Sequence, residues 1–137
     1  LMIDPLVQTK KKKKKNYLES LKKLRDHLVS IKVHDLIISF HPSLIKLEKY
    51  REEVKAVFEV NEIRVKELND DIELVISSAS NVKLICLLSS VIRYAYHLNV
   101  KCYSWFEFFQ KDDFKDKDHI KAIEKLLSFQ KSISDLC

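Results

Sequence analysis

The chain contains no glycine in 137 residues, only two prolines and only three cysteines. Each shortage excludes something. A phosphate-cradling P-loop, a dinucleotide fingerprint, a nucleophile elbow and a kinase-type phosphate loop all need glycine, either for a tight turn or to let backbone N–H groups approach the ligand. None can form here in recognisable form. Two-residue hairpins favour glycine at positive φ, so tight β-meanders are not expected. With only Pro5 and Pro42, helices run largely uninterrupted. Cys86, Cys102 and Cys137 are an odd set with no CxxC pair, the pattern of reduced thiols in an intracellular protein. No secretory signal pattern opens the chain, and no apolar run reaches the roughly 20 residues a membrane span needs. Leu1 precedes Met2 and Cys137 closes the chain, which fits a piece of a longer protein.

The formal charge is +5, from 25 basic and 20 acidic residues. Six consecutive lysines, Lys10, Lys11, Lys12, Lys13, Lys14 and Lys15, account for it: without them 19 basic residues face 20 acidic ones. A run of like charge repels itself and buries nothing, so residues 1–15 read as a flexible basic arm. Its functional readings are a nuclear-import signal or a clamp on a polyanion. No aromatic residue interleaves the lysines to stack on bases.

Residues 16–137 read as one helical domain. Asn16 and Glu19 have capping-box spacing, and Tyr17, Leu21, Leu24, Leu28 and Ile31 share one face. A short helix is expected over Val33 to Phe40. Pro42 then starts a long one to Leu68, with a main stripe through Leu47, Tyr50, Val54, Val57, Phe58, Val65 and Leu68 and a second through Ile45, Ala56, Val60 and Ile63. Ile72 to Ser77 could be a strand by β-branched content, but a lone strand has no partner, so it is read as helix. The most apolar helix is expected over Asn81 to Asn99, and a last one with Ile120, Ile123, Leu126, Leu127, Phe129 and Ile133 facing the core. The fold class that follows is all-α: a single-domain bundle of about five to seven helices behind the basic arm.

No catalytic constellation emerges. His27, His34 and His41 recur every seven residues, not at the i,i+4 spacing helical metal ligands favour, and Pro42 breaks the geometry. His97 and Cys102 lack a third group. Asp70 and Asp71, like Asp112 and Asp113, are neighbours that point apart on a helix. The expectation is therefore a non-enzymatic domain with no metal and no cofactor. It would be a scaffold or adaptor in an intracellular, nuclear protein, docking another protein through an amphipathic helix or apolar surface. The candidate surfaces are the second stripe (Ile45, Ala56, Val60, Ile63) and the aromatic segment Tyr103, Trp105, Phe108 and Phe109. The alternative is nucleic-acid binding led by Lys10–Lys15.

Overall fold

The computed structural model describes residues 1–3, 11–68, 71–78, 81–87, 89–109 and 117–137. Strand β1 (Met2–Ile3) precedes helix α1 (Lys11–Ser30), followed by β2 (Asp35–Phe40), α2 (Glu48–Phe58) and β3 (Arg64–Glu67). Then come α3 (Ile72–Ser78), β4 (Leu84–Ile85), α4 (Val91–His97), β5 (Cys102–Ser104), α5 (Lys117–Leu126) and β6 (Lys131–Ser132). Short 3-10 turns lie between several of these, at Pro42–Leu44, Phe106–Phe108, Leu127–Phe129 and Ile133–Asp135.

The strands form two parallel ladders, ordered β1-β2-β3 and β4-β5-β6. Parallel strands need helical crossovers rather than hairpins, so a chain without glycine can build them freely. The fold is therefore mixed α/β, and the expected all-α bundle is incorrect. Val33 to Phe40 is not a helix: Asp35–Phe40 pairs with β3 in the register Asp35↔Arg64 to Ile38↔Glu67. The long helix expected to end at Leu68 stops at Phe58, and its last residues become β3. The helix expected over Asn81 to Asn99 divides into β4 and α4, and the last helix stops at Leu126, with Leu127 and Phe129 in a 3-10 turn and Ile133 beyond β6. The division between an arm of residues 1–15 and a body of 16–137 also cuts through α1, which already includes Lys11–Lys15, while Leu1 and Ile3 are buried in the core. The expectations placed on Lys10, Asp70, Asp112 and Asp113 lie outside the described residues.

Side chains on successive strand positions point to opposite faces, and the two apolar cores follow that alternation. On one face Leu36, Ile38, Phe40, Ile85, Leu87 and Tyr103 meet Tyr17, Leu21, Leu24 and Leu28 of α1 and Val54, Val57 and Phe58 of α2. On the other, Leu84, Cys86 and Cys102 meet Ile76 of α3, Val91, Ile92 and Ala95 of α4, and Leu126 of α5. α2 is tied to β3 by Arg51 and Lys55, whose side chains reach Glu67 at 2.6 and 3.0 Å. Burial works to raise the Glu67 pKa, but hydrogen bonds from Lys55 and Arg51 outweigh it and hold the carboxyl below the usual range.

The want of glycine shows at the helix ends. α1 closes with Lys32 at φ 60°, where Val33 N–H donates to the Leu28 carbonyl at 3.0 Å and Lys32 N–H to that of Val29 at 3.0 Å. This is the left-handed helix stop that glycine normally occupies. Asn99 does the same after α4 at φ 56°, and asparagine tolerates it better than lysine. Lys32→Gly should therefore stabilise the fold. The left-handed conformation costs a residue with a Cβ about 1–2 kcal/mol, and the greater freedom of unfolded glycine cancels part of the gain. We expect a net increase of about 0.5–1 kcal/mol, visible as a rise of about 2–4 °C in the midpoint of thermal unfolding. An unchanged or lower midpoint is inconsistent with strain at Lys32.

Candidate ligand site at the carboxyl edge

Helices α1 and α2 cover one face of the strands, and α3, α4 and α5 pack on the other. A strand-helix-strand crossover between parallel strands is almost always right-handed. Helices on opposite faces therefore mean that the two ladders grow in opposite directions, one outward from β1 and one outward from β4. The strands of both ladders also run the same way. The first turns of α1 follow the carboxyl end of β1, and there Tyr17 packs edge-on against Trp105 at 5.6 Å and against Phe109 at 5.8 Å, in the segment that leaves the carboxyl end of β5. Ser20 Oγ donates to the Phe108 carbonyl in the same segment, at 3.2 Å. The two ladders are paired separately; where two halves that grow in opposite directions adjoin, ligands of open α/β sheets bind outside the carboxyl ends of the strands.

Three stretches of chain meet this edge. The first is His41-Pro42-Ser43 at the end of β2. Pro42 opens a 3-10 turn, and its fixed φ suits that position. His41 caps the turn: its Nδ1 accepts the Ser43 backbone N–H at 3.2 Å and lies 2.8 Å from Ser43 Oγ. A backbone N–H can only donate, so Nδ1 is the acceptor nitrogen of the neutral ring and the proton sits on Nε2. The exposed imidazole is thereby oriented to offer an Nε2–H donor. The second stretch is Ser89-Ser90, between β4 and α4. Ser89 Oγ accepts the Val91 N–H at 3.2 Å, and Ser90 is exposed. The third is the start of α1. It contains five consecutive lysines, Lys11–Lys15, and no acidic residue in its first turn. Helix N-termini carry partial positive charge, so a basic sequence at these positions is the reverse of what a helix start favours. Local unfavourable charge of this kind is typical of a binding edge.

Farther along the edge, Glu107 ties the end of β5 to the end of β6. Its Oε1 accepts the Ser132 hydroxyl and, at 3.1 Å, the Ser134 N–H. That contact is structural and leaves the carboxylate engaged.

The residues singled out from sequence do not gather into one surface. Ile45 is 57% exposed and Ala56 is exposed, while Val60 is half-buried and Ile63 is buried in the core. Tyr103 and Trp105 are buried as well, and Phe108 and Phe109 pack partly against the same core. Lys11–Lys15 lie at the start of α1, and Lys10 is outside the described residues. Among the described residues no group of three His, Cys, Asp or Glu side chains comes together in a way that could hold a metal ion. Among them, too, no helix is long and apolar enough to cross a membrane. Sequence reasoning weighed His41 only as a metal ligand and passed over Ser89 and Ser90. The signal that would have found them is an apolar run broken by a short polar turn, Leu36 to Phe40 before His41 and Leu84 to Leu88 before Ser89, once such runs are read as strands. Compared with known protein families, curated proteins and solved structures, the chain matches none.

Proposed function

We propose that this domain binds a phosphate-bearing small molecule across the carboxyl ends of β2, β1 and β4. The reading rests on the reversal of strand order between the two ladders, because that topology puts the ends of β1 and β4 at the place where open α/β sheets take their ligands. The chemistry at that place suits an anion. His41 Nε2–H and the hydroxyls of Ser89 and Ser90 are short donors, and the lysine-bearing start of α1 supplies charge. The ends of β2 and β1, hydrogen-bonded neighbours, lie roughly 4.8 Å apart, the scale of one phosphate group. Of the two sequence-based readings of the lysine run, polyanion contact is the one this arrangement favours. The proposal assigns binding and no reaction.

The test is calorimetric titration with inorganic phosphate, pyrophosphate and nucleoside mono- and diphosphates. At least one should bind, and His41→Ala or the pair Ser89→Ala and Ser90→Ala should weaken it about 10- to 100-fold, as expected for hydrogen bonds to a charged group. If no compound in the panel binds, or if binding is indifferent to all three substitutions, the reading is wrong. Docking of another protein is the second reading. It is favoured by Ile45, an isoleucine left 57% exposed beside the 3-10 turn after β2.

A further inference from the structure

The opposite, amino edge of the second ladder carries a different pattern. Each of its three strands is entered through an exposed lysine: Lys83 before Leu84, Lys101 before Cys102, and Lys131 as the first residue of β6. The register Leu84↔Cys102 sets Lys83 level with Lys101, and Tyr103↔Lys131 places Lys131 two residues farther along the ladder, a staggered row of three. Two cavities of about 570 and 470 Å³ run along that row and share Asn99, Val100 and Lys101. Among the described residues no Asp or Glu lines either one. Like charges on neighbouring strands repel, and no described carboxylate in the cavities offsets them. Lys83 Nζ donates to the Cys137 carbonyl at 3.1 Å.

The wall of the larger cavity is aromatic. Tyr96, 53% exposed, sets its ring edge-on to Phe129 at 5.2 Å. The Arg93 guanidinium lies over the Phe129 ring at 5.6 Å, and His97 completes the rim. The cavity floor is fixed, because Gln130 Nε2 donates to the Cys86 carbonyl at 2.9 Å and to Cys102 Sγ at 3.4 Å. A row of ammonium groups beside an exposed, braced aromatic ring is the combination that holds a single nucleic-acid strand: charge tracks the phosphates and the ring stacks on a base whatever its identity. A simple polyanion would need the lysines and make no use of the ring.

We propose that the amino edge of the second ladder, along Lys83, Lys101 and Lys131 with Tyr96 as the stacking platform, binds a short single strand of nucleic acid. This surface is separate from the carboxyl edge and from the lysines of α1.

The experiment is fluorescence anisotropy of the full chain with labelled oligo-dT and oligo-U. Affinity should fall with salt at a log–log slope of about −2, the value for three phosphate contacts on a single strand. Lys101→Glu combined with Lys131→Glu should abolish binding. Tyr96→Ala should weaken it about 5- to 100-fold, as expected for one stacked base. Replacing Lys11–Lys15 with glutamine, or His41 with alanine, should leave it intact, so that failure here is distinct from failure of the phosphate-ligand reading. Three results would overturn the proposal: no binding to either oligonucleotide, loss of binding on replacing Lys11–Lys15, or full retention with Tyr96→Ala together with equal competition by inorganic polyphosphate. The last would identify a polyanion surface instead.

Discussion

Trp105→Ala should unfold a large fraction of the molecule instead of stripping a contact from its surface. Trp105 follows β5 and is fully buried. Its ring packs at 5.6 Å against Tyr17 of α1 and at 4.7 Å against Phe109, so it joins the second ladder to the first helix. Truncating a buried tryptophan costs about 3–5 kcal/mol through lost burial and the cavity left behind. Domains of this size are stable by only about 5–15 kcal/mol, so the substitution removes from about a fifth to all of the total. Urea denaturation followed by circular dichroism would show the midpoint falling steeply. Ile45→Ala, at an exposed position with nothing packed over it, should stay within about 0.5 kcal/mol of the parent. Trp105→Phe separates size from polarity. The indole Nε1–H is buried with no hydrogen-bond partner among the described residues, and such a donor carries a penalty of about 1–3 kcal/mol. Phenylalanine gives up part of the packing but also removes that donor, so it should cost far less than alanine. A folded Trp105→Ala variant within 1 kcal/mol of the parent would contradict the packing described.

The same residue shows where the sequence was legible. Its neighbours Tyr17, Leu21, Leu24 and Leu28 repeat at helical spacing, and they form the buried face of α1. α5 was equally readable from Ile123 and Leu126, whereas α3 was reached only on the premise that a strand there would have no partner, a premise the six paired strands remove. The strands were not readable, for a physical reason. A strand of a parallel sheet has both faces covered, so it shows no alternation of polar and apolar residues and resembles a short buried helix. Leu84 to Leu87 is such a run, and Leu36 to Phe40 reads the same way because Ile37, although 44% exposed, is apolar too. The argument from missing glycine then reinforced the error. It excluded hairpins, and hairpins join antiparallel strands only. The stripe from Leu47 to Leu68 kept helical spacing through the turn at 59–63 by coincidence, which concealed β3. Site residues depend on these assignments. His41 and Ser89 stand at strand ends only if the runs before them are strands; otherwise they are polar residues on helices.

Cys102 should make the fold sensitive to alkali. It sits on β5 at the inner face, against the second core, and is buried. Burial disfavours the thiolate and raises the thiol from 9.0 to about 11; a hydrogen bond from Gln130 works the other way and is the weaker influence. In the unfolded chain the thiol loses its proton near pH 9, while in the folded chain it keeps it until about pH 11. Between those values the folded state holds more protons than the unfolded one, so stability falls as pH rises. Below pH 9 the contribution is complete, and above pH 11 it is gone. Two units at about 1.36 kcal/mol each set the loss at roughly 2.7 kcal/mol. Lys55 and Tyr103 are also raised, and both work in the same direction, so the parent curve alone does not isolate the cysteine. Cys102→Ala does. The variant starts lower because a buried side chain is truncated, yet its stability should decline less between pH 9 and 11, and the difference in slope belongs to Cys102. Thiol labelling at pH 8 provides an independent reading: exposed Cys137 should react quickly and Cys102 only as fast as the fold opens. Parallel pH curves for parent and variant would show that the Cys102 thiol is not desolvated in the folded state.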